Sequence, residues 1–190
     1  VNADDIWEMG YTGDGVIVAV IDSGVNYAHV DLVYNLWDGG AEFPHHGYNT
    51  YYGNDNPMDK FGHGTHCAGT ICGNGTSGTK TGIAPKATLM CVKSVSDEGT
   101  GTANNINEGM EWAIEQQANV LSMSLGVTVP SPSEKTMLRR SCVTALELGI
   151  VAAVAAGNYG GPDYQMMKPI PDNVIIPGGC PPPWLHPDQE

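Results

Sequence analysis

Positive charge is scarce in this sequence: eight Lys plus Arg face twenty-one Asp plus Glu, for a formal net charge of -13. That balance argues against a nucleic-acid backbone or an anionic membrane surface as partner. Long apolar runs are missing as well. The longest, 16–21 and 150–156, are strand-sized, whereas a helix needs roughly 20 residues to cross a bilayer, so no membrane span is expected. Residues 1–8 lack the basic and then apolar build of a signal peptide, which a matured secreted chain would have shed. Five cysteines (Cys67, Cys72, Cys91, Cys142 and Cys180) are odd in number and form no C-x-x-C pair, so no disulfide framework is expected. No internal repeat or low-complexity tract occurs.

What is present suits one globular domain with a real core: 190 residues, 41% of them hydrophobic. The apolar run 16–21 is bounded by Gly15 and Asp22, the mark of a strand buried on both faces, and 87–92, 119–124 and 150–156 read alike. Between them, Thr102 can cap a helix with Ala103, Ile106, Met110, Ala113 and Ile114 on one face. A second helix is expected to start at Ser133 and Glu134, to bury Met137, Leu138, Cys142, Ala145 and Leu146, and to stop at Gly149. Strands alternating with helices predict an α/β fold, a parallel sheet with helices on both faces and right-handed crossovers. Residues 34–60 form a long loop rich in Gly, Asn, Asp, Tyr and His, and most prolines fall after Gly161, so 1–158 and the extended segment 159–190 divide by composition.

Ligand sites of open parallel sheets lie at the carboxyl ends of the strands. Three ends stand out: Asp22-Ser23-Gly24, Ser124-Leu125-Gly126 and Gly157-Asn158. His63 sits between Gly62 and Gly64 at the start of a small-residue helix, presented rather than buried. An aspartate at a strand end that accepts a hydrogen bond from one imidazole nitrogen leaves the other free as a base. Taken alone, one Asp and one His fit a turn cap and a satisfied core histidine better than a catalytic pair. His66 lies three residues after His63, but no carboxylate at ligand spacing completes a zinc site. His45-His46 reads as a solvated loop pair, and Gly13-Asp14-Gly15 precedes its strand where a dinucleotide fingerprint would follow it.

Context changes that balance. The motifs Val18-Ala19-Val20-Ile21-Asp22-Ser23-Gly24, Gly62-His63-Gly64-Thr65-His66-Cys67-Ala68-Gly69-Thr70, Gly82-Ile83-Ala84-Pro85, Met123-Ser124-Leu125-Gly126 and Ala155-Ala156-Gly157-Asn158 follow one another in order. Together they resemble the subtilisin-like serine proteases over nearly the whole sequence. The resemblance implies a three-layer fold, incomplete here, in which Asp22 orients the histidine, His63 is general base and then acid, and Asn158 donates to the oxyanion. It implies a polypeptide substrate, paired as a strand with Gly99-Thr100-Gly101 on one side and Ser124-Leu125-Gly126 on the other. Ala155, Ala156 and Gly157 would then wall the first specificity pocket. No cofactor is required by it. A structural calcium at Asp31, in His29-Val30-Asp31-Leu32, stands on even terms with a turn cap, because the partner loop 74–80 contains Lys80 and no clear ligand set. Asn74-Gly75-Thr76 is a glycosylation sequon only in a secretory host. Cys67 is either a reactive thiol beside the base or, as its type favours, a packed small side chain.

The family's nucleophile motif, a Gly-Thr-Ser opening a small-residue helix downstream of the asparagine, is not found. Gly75-Thr76-Ser77-Gly78 imitates it, but its glycine-rich surroundings cannot continue as a buried helix. Ser23 and Ser124 belong to other motifs. The expectation is therefore a protease piece supplying Asp22, His63 and Asn158, partnered by a C-terminal chain that carries the serine. The competing expectation is an inactive fragment that at most binds peptides. Family habit and acidic composition point to an extracellular location.

Overall fold

A computed structural model describes residues 2–76, 78–127 and 130–155. Its frame is a parallel sheet of five strands: β1 (Ile17–Asp22), β2 (Gly47–Asn49), β3 (Thr88–Lys93), β4 (Val120–Met123) and β5 (Val151–Val154), in the spatial order β2-β3-β1-β4-β5. Among the described residues four helices accompany it: α1 (Ala3–Glu8), α2 (His63–Cys72), α3 (Ala103–Glu115) and α4 (Pro132–Glu147). β1 is central, paired with β3 from Ile17↔Thr88 to Asp22↔Lys93 and with β4 from Val18↔Val120 to Val20↔Ser122.

Strand alternation sorts the core into two layers. Ala19, Ile21, Met90, Val92, Leu121 and Met123 point to the face covered by α3 and α4. Val18, Val20, Leu89 and Cys91 point to the other face, where Ala68 and Cys72 of α2 meet them. Each of these larger side chains, removed from water, contributes about 1.5–3 kcal/mol. The architecture is the expected three-layer α/β arrangement. Because β1 alternates, Asp22 continues the row of Val18 and Val20 and so faces α2.

Several details depart from the sequence-based expectations. The loop 34–60 contains a short edge strand, β2, in register Gly47↔Cys91 to Asn49↔Lys93. Only glycine fits at its start, since a Cβ on Gly47 would lie 1.7 Å from the Cys91 carbonyl oxygen. The second crossover helix starts earlier than Ser133. Its N-cap is Ser131, Pro132 opens the helix, and Ser131 and Glu134 form a reciprocal capping box. The reason is physical: Pro has no N–H to lose and its φ suits the first helical position. Gly149, at φ 78°, ends the chain turn after that helix as expected. α3 begins at the Thr102 cap, with a capping box to Asn105. The strand expected over 150–156 ends at Val154, leaving Ala155 just past it. The boundary at 158/159 and the extended segment 159–190 lie outside the described residues.

The two cap assignments separate in a single experiment. Ser131→Ala should cost about 1 kcal/mol in urea unfolding, because it strips an acceptor from the first turn of α4, while Ser133→Ala should stay within about 0.5 kcal/mol of the parent.

Candidate active site

The site forms where the C-terminal end of β1 meets the N-terminal end of α2. Gly62 caps α2 with φ 98°, a left-handed conformation that glycine adopts without strain. Gly64 must also be glycine, since a Cβ there would sit 2.1 Å from the Gly24 carbonyl oxygen and 3.0 Å from the Asp22 Cβ. This close approach sets the His63 ring beside the Asp22 carboxylate. Nδ1 of His63 lies 2.8 Å from Oδ1 and 3.0 Å from Oδ2.

Burial is asymmetric across the pair: 2% of the Asp22 side chain is exposed against 47% of His63. A buried carboxylate that also accepts from the Ser23 N–H, at 2.7 Å, is fixed in direction. It can only accept, so Nδ1–H donates and the lone pair is left on Nε2, at the open side of the ring. Among the described residues, no side chain is hydrogen-bonded to Nε2 of His63. That arrangement orients the ring and leaves one ring nitrogen chemically able to accept a proton.

Cys67, one turn along α2, is half-buried with Sγ 3.9 Å from Nδ1 of His63. Burial pushes its thiol above the ordinary value; a hydrogen bond with Ser124 partly offsets this, and the negative charge of Asp22 adds to it. The thiol is packed as its type suggests, against both the imidazole and the apolar layer under α2. Ligand atoms of Asp22, His63 and Cys67 lie within 4.8 Å of one another. His66 is exposed on α2 and lies outside the group formed by Asp22, His63 and Cys67 among the described residues.

Ser124, just past the end of β4, lies near enough to lower the Cys67 thiol pKa. Ser124 is exposed, Leu125 packs partly on the core, and Gly126 is exposed beyond it. Gly99, Thr100 and Gly101 are exposed in a turn closed by Ser96 N–H to the Thr100 carbonyl, 2.7 Å, and lead into α3. Both glycines there have steric reasons of their own: a Cβ on Gly99 would meet the Phe61 ring at 2.6 Å, and one on Gly101 the Ser94 carbonyl oxygen at 2.8 Å. Between α3 and the end of β4 opens an apolar hollow lined by Ile106, Met123, Leu125, Gly126, Val154 and Ala155. Ala155 joins it through its N–H, which donates to the Met123 carbonyl at 3.0 Å. Ala156, Gly157 and Asn158 lie outside the described residues.

Asp31 is not part of the group formed by Asp22, His63 and Cys67. It is buried, its carboxylate accepts from the Thr79 hydroxyl, and its carbonyl accepts from Asn74 N–H at 3.0 Å. These bonds tie its turn to the loop around Gly75. His45 stacks on Tyr27 and lies 3.6 Å from Asp55, while Nδ1 of His46 is 2.8 Å from the Trp37 carbonyl oxygen, so the two neighbours serve different contacts.

Two residues beneath the pair were not legible in the motif. Lys93, 1% exposed, donates to the Ser23 carbonyl at 2.6 Å and pairs with Asp97 at 3.1 Å. Hydrogen bonds from Lys93 and then Lys60 hold the Asp97 carboxyl below its ordinary value. Asp59, also buried, gathers donors from the residue after β1 and from the start of α2. Its signal was an Asp shortly before a helix start, a common capping pattern. Lys93 had none, since a lysine that ends an apolar run ordinarily marks the surface.

Comparison with known proteins places this geometry in context. The model of the subtilase family (Peptidase_S8) matches residues 13–179. The chain is 41% identical over 160 residues to subtilisin amylosacchariticus of Bacillus subtilis subsp. amylosacchariticus, covering 84% of the chain and 39% of that protein. It is 36% identical over 175 residues to the minor extracellular protease Vpr of Bacillus subtilis (strain 168), covering 89% of the chain and 21% of the relative. It is 37% identical over 184 residues to the major intracellular serine protease of the same strain, covering 94% and 55%. The chain thus spans well under two thirds of these relatives. Since one is extracellular by name and another intracellular, family does not fix location.

The raised thiol of Cys67 has a measurable consequence. Its alkylation by iodoacetamide should be slow at neutral pH and gain speed only above the ordinary thiol range of about 8.5. A rate profile with a midpoint below that value would contradict the packed, protonated thiol.

Proposed function

The chain belongs to the subtilase family, and on that footing we propose that it supplies the aspartate and histidine of a triad that hydrolyses peptide bonds. The observation that carries this reading is the bond from His63 Nδ1 to a buried Asp22 carboxylate, with Nε2 left open. In the proposed reaction, Nε2 of His63 takes the proton of a serine hydroxyl as that oxygen attacks the substrate carbonyl. Asp22 holds the ring in the productive tautomer and stabilises the imidazolium. The side-chain amide of Asn158 donates to the oxyanion that develops. His63 then gives its proton to the leaving amine, and water releases the acyl group by the same route in reverse.

The serine is proposed to come from polypeptide outside this sequence, on a following segment or a separate chain. Support for this comes from the open Nε2 of His63 and from the partial span of the relatives. The substrate is proposed to be an extended polypeptide, bordered by Gly99-Thr100-Gly101 and by Ser124-Leu125-Gly126, with an apolar side chain lodged in the hollow near Leu125 and Ala155. An extracellular site of action fits the Vpr relative and the acidic composition. Calcium is proposed only as a structural ion at Asp31. If it is held there, excess chelator should lower the melting temperature by several degrees, and an unchanged melting curve would remove it from the account.

The second reading is peptide binding without turnover, for which the borders Gly99-Thr100-Gly101 and Ser124-Leu125-Gly126 would suffice without a serine at Nε2. Kinetics on a chromogenic peptide distinguish the two. The intact protein should turn the peptide over, and Asp22→Asn should lower kcat by roughly 10⁴ with KM little changed, because the amide stabilises the wrong tautomer. Binding without measurable turnover by the parent would establish the second reading.

A further inference from the structure

Asp59 stands outside the Asp22–His63 pair yet touches the backbone on both sides of it. It is 8% exposed and lies on the loop before α2. Its Oδ1 accepts from the Ser23 hydroxyl at 2.9 Å, Phe61 N–H at 3.0 Å and Gly62 N–H at 2.8 Å. Its Oδ2 accepts from Thr65 N–H at 2.9 Å and the Thr65 hydroxyl at 2.6 Å. The Ser23 oxygen in turn accepts from Gly64 N–H at 2.9 Å. The donors therefore belong to the residue that follows Asp22 and to residues flanking His63. Helix-start N–H groups have no partner within their own helix, and only an ionised carboxylate can accept from so many at once.

We propose that Asp59 is a positioning residue for the reaction: its carboxylate clamps the end of β1 to the first turn of α2 and so sets the distance and angle between Asp22 and His63. This rests on the protease reading above. Burial alone would push the Asp59 carboxyl up, but hydrogen bonds from Thr65, Gly62 and Ser23 outweigh that and hold it below its ordinary value. The sign follows: the clamp is intact above the ordinary carboxylate pKa and is lost as pH falls through the lowered one. Nearby charged and titratable groups are Asp22, His63 and Cys67 at the pair, Lys93 on the Ser23 carbonyl, and Lys60, which pairs with Asp97.

An asparagine cannot replace this carboxylate. Placed at Oδ1, its NH2 would face the N–H groups of Phe61 and Gly62; placed at Oδ2, it would face that of Thr65. The control is Asn35→Ala. Asn35 Nδ2 donates to the carbonyls of Cys72, at 2.9 Å, and Pro85, at 2.8 Å, bracing the far end of α2.

In the intact protein containing this chain, kcat, KM, melting temperature and the low-field NMR signal of the His63 Nδ1 proton are compared for the parent, Asp59→Asn, Ser23→Ala and Asn35→Ala. Asp59→Asn should lose about 10²-fold in kcat, the scale of an ångström-sized misplacement, with KM within about twofold and the proton signal broadened or lost. Ser23→Ala should lose less, about tenfold, and Asn35→Ala should melt earlier with kcat and signal retained. Loss of kcat in step with melting temperature across all three variants would overturn the proposal, as would parent-like kcat and signal in Asp59→Asn. If Asp59→Asn does not fold, Ser23→Ala against Asn35→Ala decides on the same readouts. If the parent turns over no peptide, the protease reading falls, yet the proton signal still decides: lost on substitution it supports the clamp, and retained it overturns it.

Discussion

Everything at the proposed active centre depends on how closely α2 can approach the end of β1. The contact is set by Gly64, whose missing Cβ lets the helix backbone come against Gly24 and Asp22. A side chain of any size there would push the helix outward and stretch the bond of 2.8 Å from His63 to Asp22. Strand alternation supplies the other half of the constraint, because the row Val18, Val20, Asp22 faces the same helix that presents His63. The pair is thus a consequence of one tight helix-on-sheet contact.

That contact gathers an unusual amount of buried charge. Asp22, Asp59 and Lys93 are each under a tenth exposed, and all three bond to Ser23, through its N–H, its hydroxyl and its carbonyl. Stripping one partner from a buried charge of this kind costs about 3–5 kcal/mol. The same expense gives the site its stiffness, since each bond has one geometry in which it is satisfied. Ser23 is therefore the hinge pin between the sheet and the helix.

Much of this was readable from residue order alone, and the reasons are physical. Doubly buried strands are near-continuous apolar runs, so four of the five strands among the described residues announced themselves, and the Thr102 cap marked α3. Asp22 at a strand end and His63 between glycines were visible because both need special surroundings. β2 was hidden because Gly47, Tyr48 and Asn49 carry no apolar alternation; the strand exists through its pairing with β3. The start of α4 lies two residues before the expected one because Ser131 and Ser133 are both good caps, and Pro132 decides between them. Lys93 was hidden for another reason: burial of a charge depends on partners far along the chain, which no local pattern records, and the capping pattern of Asp59 carries no sign of its bond to Ser23.

The central claim is that the Asp22–His63 pair activates a serine that this sequence does not itself contain. It is tested most directly by treating the intact protein with a fluorophosphonate and mapping the modified residue by peptide mass spectrometry. The account predicts one labelled serine, outside these 190 residues, with labelling abolished by His63→Ala. No labelling, or labelling at Ser23, Ser77, Ser124 or any other serine of this sequence, would contradict it.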